Sequence, residues 1–392
     1  MADPTKNPVL YLSYDGLTDP LGQSQILPYV IGLTKLGWKF TIISFEKPEA
    51  LARNRREIEN ICHQHSIQWL PLSYHKNPPV LSTLYDLWRL SVSVKSIVKQ
   101  NPNTIIHCRS YLTSLVTWQM KRRFKTKFIF DMRGFWADER VEGGLWNLSN
   151  PLYRMIYRFF KKKEKEFLVD AEHVISLTHN AKQEIESWKI GTAPISVIPT
   201  CVDLDLFNPD KIKIDQQNKL RQDLGLKETD YVLLYLGSWG TWYLTEEMLK
   251  YFSELKKLKP EARFLIVTPD EVDLSHHEYY DDIVVTRASR PEVPLFISIA
   301  NASIFFLKPS FSKKASSATK LGELLAMKRM VITNSGWGDV DQFNYGNWVH
   351  VMDVTKPFSF DWITSQPTTT IDLETLSLTQ GILRYNNVYN CL

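Results

Sequence analysis

The sequence is most telling from Ser316-Ser317-Ala318-Thr319-Lys320-Leu321-Gly322-Glu323-Leu324-Leu325-Ala326, through Met330-Val331-Ile332-Thr333-Asn334, to Ser335-Gly336-Trp337-Gly338-Asp339. Small loop residues precede a helical apolar pattern, a β-branched run follows, and a Gly-broken loop closes the stretch. The pattern predicts a helix with Thr319 as its N-cap and with Leu321, Leu324 and Leu325 packed inward. Glu323, four residues on, then shares a helix face with Thr319. Lys320 and the first-turn N–H groups suit a phosphate, and the acceptor-only carboxylate of Glu323 suits sugar hydroxyls. The plainer alternative is an ordinary helix start with a favourable acid and a solvated lysine.

The same strand–helix grammar extends in both directions. Towards the N-terminus, a strand at 231–237 runs into a Gly turn, a helix follows at 246–258, and further strands read at 263–268, Ile283–Thr286 and 303–307. The first half reads as a strand at Val9–Ser13, a Gly/Asp/Pro loop at 15–22 and a helix at 23–36 closing on Gly37. Later strands fall at 39–45, 68–70, 104–107, Lys127–Asp131, His173–Ser176 and 196–198. Repeated βα units predict an α/β fold of two parallel, doubly wound, Rossmann-like domains. Ligands bind such sheets at the carboxyl ends of strands, here the loops after Ser13, His107, Asp131 and Ser176.

Composition bounds the class. The 392 residues are 44% apolar and 23% charged, which excludes a largely disordered chain. No apolar run approaches the length of a transmembrane helix. Met1-Ala2-Asp3-Pro4-Thr5-Lys6 lacks the layout of a signal peptide. Cys62, Cys108, Cys201 and Cys391 are far apart with no CxxC spacing, as in a reducing compartment, and a cytoplasmic protein is expected. The net charge of +4 is unevenly spread: residues 1–200 hold 27 Lys and Arg against 18 Asp and Glu, the rest 20 against 25. The basic half should attract an anionic partner or surface.

Several motifs resemble family 4 of the GT-B glycosyltransferases. Thr319-Lys320-x-Gly322-Glu323 matches the family's Thr-Lys-x-Gly-Glu at its nucleotide-sugar site. Ile198 to Pro209 resembles its interdomain signature, with Thr200-Cys201 where Asn-Gly is common. Phe130-Asp131-Met132-Arg133-Gly134-Phe135-Trp136-Ala137-Asp138-Glu139-Arg140 and Leu236-Gly237-Ser238-Trp239-Gly240-Thr241-Trp242-Tyr243 are similar to a subgroup from bacterial surface-polysaccharide clusters. The resemblance implies GT-B architecture, with an acceptor-side domain at 1–200 and a donor domain at 201–375 facing it across a cleft. It also implies that a helix within 376–392 crosses back to the first domain. The implied activity is transfer from a nucleotide sugar to a glycan or lipid-linked acceptor with retained configuration, without an obligatory metal or other cofactor.

The resemblance also assigns roles. Glu323 would hold ribose, Thr319 and Lys320 would belong to the donor site, and Gly22 and Gly237-Ser238 would let backbone approach the diphosphate, or else be ordinary tight turns. His107 would lie beside the sugar, or else be a satisfied structural histidine; the family's second His position is Arg109. Asp131, Arg133 and Glu139 would serve the acceptor side, an acid taking or orienting a proton, or Arg133 and Arg140 would pair with Asp138 and Glu139 as a structural network.

Departures are clear too. The usual clamp bases after Gly237 are absent until Lys250, and the first glutamate of the family pair falls on Ala315. A GT-B nucleotide-sugar epimerase, or a non-catalytic scaffold derived from a transferase, therefore stand as alternatives. His63-Gln64-His65 and His276-His277 lack metal-site spacing. The aromatic–basic run Phe159-Phe160-Lys161-Lys162-Lys163-Glu164-Lys165 suggests an anionic membrane surface, whereas no nucleic-acid motif accompanies the charge.

Overall fold

The structure, a computed structural model, describes residues 6–342, 345–363, 367 and 370–392. Met1–Thr5, on which the signal-peptide reading rests, lie outside the described residues. The chain forms two compact units, one of residues 1–200 and 378–392, the other of residues 201–377.

The first unit is built on β1 (Val9–Ser13), β2 (Phe40–Glu46), β3 (Gln68–Ser73), β4 (Ile105–Arg109), β5 (Lys127–Asp131), β6 (His173–Ser176) and β7 (Ile195–Val197). All neighbours are parallel, in the order β3-β2-β1-β4-β5-β6-β7. Parallel strands need helices on both faces, and the central ones are buried throughout: all five residues of β1 and of β4 are covered, the ionisable His107 and Arg109 of β4 included. The connecting helices are α1 (Pro20–Gln25), α2 (Leu27–Lys35), α3 (Pro48–Gln64), α4 (Leu81–Gln100), α5 (Ser110–Phe124), α6 (Trp136–Glu142), α7 (Pro151–Asp170) and α8 (His179–Ser187). The helix expected over 23–36 is thus two helices, parted at Ile26. Prolines cause it: Pro20 and Pro28 each sit in a first helical turn, where a missing N–H costs nothing, and neither suits a helix interior.

The second unit carries β8 (Tyr231–Leu236), β9 (Ala262–Val267), β10 (Ile283–Thr286), β11 (Ala302–Ile304), β12 (Met330–Asn334) and β13 (Val349–Met352), parallel in the order β10-β9-β8-β11-β12-β13. Its helices are α9 (Ile214–Asp223), α10 (Thr245–Leu258), α11 (Val293–Ser298) and α12 (Thr319–Ala326). The strand expected over 303–307 ends at Ile304. Beyond it, the Asn334 amide takes over the ladder, accepting from Leu307 N–H at 2.7 Å and donating to Leu307 O at 2.8 Å. The edge strand β13 has no counterpart in the sequence reading.

The last helix, α13 (Leu378–Asn390), packs on α2 within the first unit. Trp38 Nε1 donates to Asn386 Oδ1 at 2.9 Å, and Tyr385 and Tyr389 lie against Tyr29 and Trp38. Gly32 lets the helices meet: a Cβ there would stand 2.1 Å from Ile382 Cδ1. Gly32→Ala should therefore destabilise the first unit by about 1–3 kcal/mol, most of it recovered with Ile382→Ala, in a double-mutant cycle followed by denaturant unfolding.

Candidate functional site

In the second unit, β8 delivers the chain to Gly237, whose φ of +119° is open to glycine and poorly tolerated by other residues. A Cβ at Gly237 would also stand 2.8 Å from Lys320 Nζ. The lysine rises from the first turn of α12 into a cage of rings, 4.0 Å from the Tyr243 centroid, 4.7 Å from Tyr235 and 5.3 Å from Phe305. Its stem is partly exposed, but its amine is buried and has no hydrogen-bond partner among the described residues. Burial pushes this amine down to about 7, with the charge of Glu323 pulling the other way. The rings offset part of the burial cost through cation–π attraction. A buried nitrogen with three unused donors, at the carboxyl end of a parallel strand, is suited to an anion.

Thr319 is the first helical residue of α12, not its cap. Ala318 takes the cap position with extended backbone and no side-chain cap hydrogen bond. Glu323 lies one turn on, buried, with Oε1 held by Arg290 Nη1 at 2.5 Å. Arg290, itself over the Phe207 ring at 4.7 Å, was not identified from the sequence, because it follows β10 and only folding brings it to α12. Ser238 is exposed in the turn after Gly237, and its carbonyl accepts from Tyr235 OH. Lys313 was missed as well; its amine lies 3.6 Å from the Trp242 ring centroid.

The first unit holds the other residues singled out in the sequence. His107 is fully buried, stacked on Tyr11 at 4.4 Å, with Nδ1 2.8 Å from Tyr389 OH and Nε2 3.3 Å from Asp131 Oδ2. Burial lowers its pKa, outweighing the pull of Asp131, so the ring is neutral inside the unit. Asp131 is also fully buried and accepts from Tyr385 OH at 3.3 Å. Burial raises its pKa, but Arg133, His107 and Arg109 together overcome that and hold it below the usual range. Neither residue presents an atom to solvent in the ligand-free chain.

Arg133 and Arg109 converge on one oxygen, Gln25 Oε1, at 2.7 and 2.8 Å. Arg133 sits at a φ of +56°, directly after β5. Of the acids expected to pair within residues 133–140, Asp138 takes Lys161 Nζ at 2.7 Å and Tyr157 OH at 2.8 Å, and Arg140 lies over Trp136. Glu139 is partly exposed in the first turn of α6. The space at Gly22 is filled by its own loop, since a Cβ would stand 2.2 Å from Gly16 O. Glu46 holds that loop, accepting from Leu17 N–H at 2.8 Å and Thr18 N–H at 3.1 Å. Gly22 therefore closes a turn that no larger residue would fit. His277 Nε2 lies 3.2 Å from Ser253 Oγ, and no group of three potential metal ligands occurs among the described residues.

Residues 28–206 match the family model described as Glycosyltransferase Family 4. Over 166 residues the chain is 21% identical to a D-inositol 3-phosphate glycosyltransferase of Segniliparus rotundus. That match covers 42% of this chain and 34% of the relative, so the chain spans about a third of the curated relative's length. Anabaena Alr3699/HepE, solved in complex with UDP and glucose, aligns with a TM-score of 0.69 at 10% identity, covering 98% of this chain and 100% of that one. A glycosyltransferase from Rickettsia africae aligns at 0.68 and 16% identity, covering 98% of each chain. The fold is the GT-B fold of two Rossmann-like units.

Two substitutions separate the interior groups from the turn. Asp131→Ala should cost about 3–5 kcal/mol in denaturant unfolding, because it strips the buried guanidiniums of a shared carboxylate. Gly237→Ala should cost about 1–3 kcal/mol through its backbone conformation and should push the Lys320 amine aside.

Proposed function

We propose, taking the Glycosyltransferase Family 4 domain at residues 28–206 on a GT-B fold as premise, that the protein transfers a sugar from a nucleotide-sugar donor. The second unit takes the donor, and the acceptor is a glycan or lipid-linked sugar of a surface polysaccharide, joined with retention of configuration. The setting is the cytoplasmic face of a membrane, and no metal takes part. In the reaction the anomeric C–O bond to the diphosphate breaks and a bond to the acceptor hydroxyl oxygen forms. The nucleoside diphosphate and the acceptor's proton are released.

The observation that carries this reading is the Lys320 amine, buried and unpartnered beside the Gly237 turn. Negative charge grows on the departing diphosphate, and a preorganised cation in a dry site stabilises it. Glu323, steadied by Arg290, supplies carboxylate oxygens for the ribose hydroxyls. Lys320 and Glu323 lie three residues apart on α12, within the reach of one nucleotide. The absent clamp bases and Ala315 weigh less against catalysis once Lys320 is seen poised for an anion. A uridine nucleotide is the first donor to try, given the UDP complex of the Anabaena protein.

The pH sign follows from the depressed amine. Between about 7 and the ordinary lysine range the free protein leaves Lys320 neutral while the unfolded chain protonates it, so this site favours folding more as pH rises. Diphosphate binding in that window should therefore take up a proton. Calorimetric titration with UDP in buffers of differing ionisation enthalpy at pH 8 should show that uptake. Lys320→Met should abolish it and weaken binding about 10- to 100-fold. No saturable binding by any nucleoside diphosphate or nucleotide sugar would sink the donor reading, and interconversion of free nucleotide sugars without an acceptor would replace the transferase by an epimerase.

A further inference from the structure

Helix α4 turns a row of large apolar side chains to solvent. Leu81, Leu84, Tyr85, Trp88 and Val92 are 64%, 56%, 50%, 62% and 53% exposed. Leu81, Tyr85, Trp88 and Val92 repeat at four, three and four residues, which aligns them along one face. The opposite face, Ser82, Asp86, Leu90, Val94 and Val98, is buried and already supplies the contact with the unit. Asp86 fixes the rotation of the helix: its carboxylate takes His75 Nδ1 at 2.6 Å, His75 N–H at 3.1 Å and Tyr14 OH at 3.1 Å. The outward row is therefore held outward.

Charge on this side of the sheet is predominantly positive. Asp86 is the only acid of α4, and it points inward, while Arg89, Lys95 and Lys99 are its bases. Helices α4, α5 and α7 form one layer, α5 touching both of its neighbours. Residues 81–170, which contain this layer, hold 17 Lys and Arg against 8 Asp and Glu, and four of those acids, Asp86, Asp131, Asp138 and Glu164, are buried. The excess equals that of residues 1–200 as a whole. Leu152, Met155 and Phe159 of α7 are exposed beside Arg154, Arg158 and Lys162. Helices α4 and α7 follow β3 and β5 in the chain, so their N-terminal turns start from the same, carboxyl, end of the sheet.

We infer that this face lies on an anionic lipid bilayer, with Leu81, Leu84 and Trp88 sunk among the headgroups and the lysines and arginines on lipid phosphates. Tryptophan and tyrosine favour that interface, and a basic amphipathic face is attracted to anionic lipid. No helix among the described residues is long and apolar enough to cross a membrane, so the contact is lateral. The run at 159–165, the membrane candidate in the sequence, contributes less. Lys161 is paired with Asp138 and Glu164, Lys163 with Glu166, and Phe160 is buried. The inference rests on the proposed function only for its purpose, which is reaching a lipid-linked acceptor.

The test is co-sedimentation of the full chain with vesicles of phosphatidylcholine alone or mixed with phosphatidylglycerol, with UDP titrated on the same preparations. The protein should bind the mixed vesicles, less so as salt rises, and leave the neutral ones. Leu84→Ser with Trp88→Ser should weaken vesicle binding at least about tenfold while UDP binding is unchanged. Arg154→Gln with Arg158→Gln should flatten the salt dependence. Absence of binding to mixed vesicles, or equal binding by the Leu84/Trp88 variant, would overturn the inference. So would a wild-type dimer that this variant converts to monomer in light scattering, since the face would then belong to a second copy. Vesicle binding without UDP binding would leave this surface standing and remove the donor reading; the reverse would remove the surface alone.

Discussion

Both units depend on one constraint: a parallel strand buried on both faces must be covered by helices, and each helix must return the chain to the same edge. Seven strands in one unit and six in the other obey it. The consequence is chemical as much as architectural. Every βα turn opens at the carboxyl end of its sheet, so Gly237 after β8 and Arg133 after β5 sit at such ends because the fold allows little else.

Burial then sorts ionisable groups by their partners. His107 is buried with partners at both ring nitrogens, and Asp131 Oδ2 meets His107 and Tyr385, while its Oδ1 has only the Arg133 guanidinium, at 3.8 Å, among the described residues. Such groups order an interior. The Lys320 amine is equally buried, lies against three ring faces and has no hydrogen-bond partner among the described residues. An amine left in that state costs stability on its own account and is better explained by what it receives than by what it holds together. The difference between His107 and Lys320 is one of hydrogen-bond accounting.

The uneven charge of the chain has a similar resolution. On the first unit half of the acids of the α4–α7 segment are turned inward, while every base of it except Arg109 is at least partly exposed. A modest formal excess thereby becomes a strongly basic surface. The exposed row on α4 adds the apolar component that charge alone would lack.

The sequence by itself determined the fold class, most strand positions, the boundary near residue 200 and the motif Thr319-Lys320-x-Gly322-Glu323. These are local or periodic signals, and hydrophobic runs bounded by glycine and proline report them directly. It did not determine β13, the division of the first helix at Ile26, or the cap at Ala318. Those depend on cap geometry and edge pairing, which composition leaves open. Tertiary structure alone decided that Arg290 meets Glu323, that the Lys320 amine has no hydrogen-bond partner among the described residues, that His107 is interior, and that Trp88 faces water while Phe160 does not. Each of these is a statement about contacts between elements far apart in the chain, or about which face of a helix the core covers. Periodicity names the faces of a helix, and only packing says which of them is left bare.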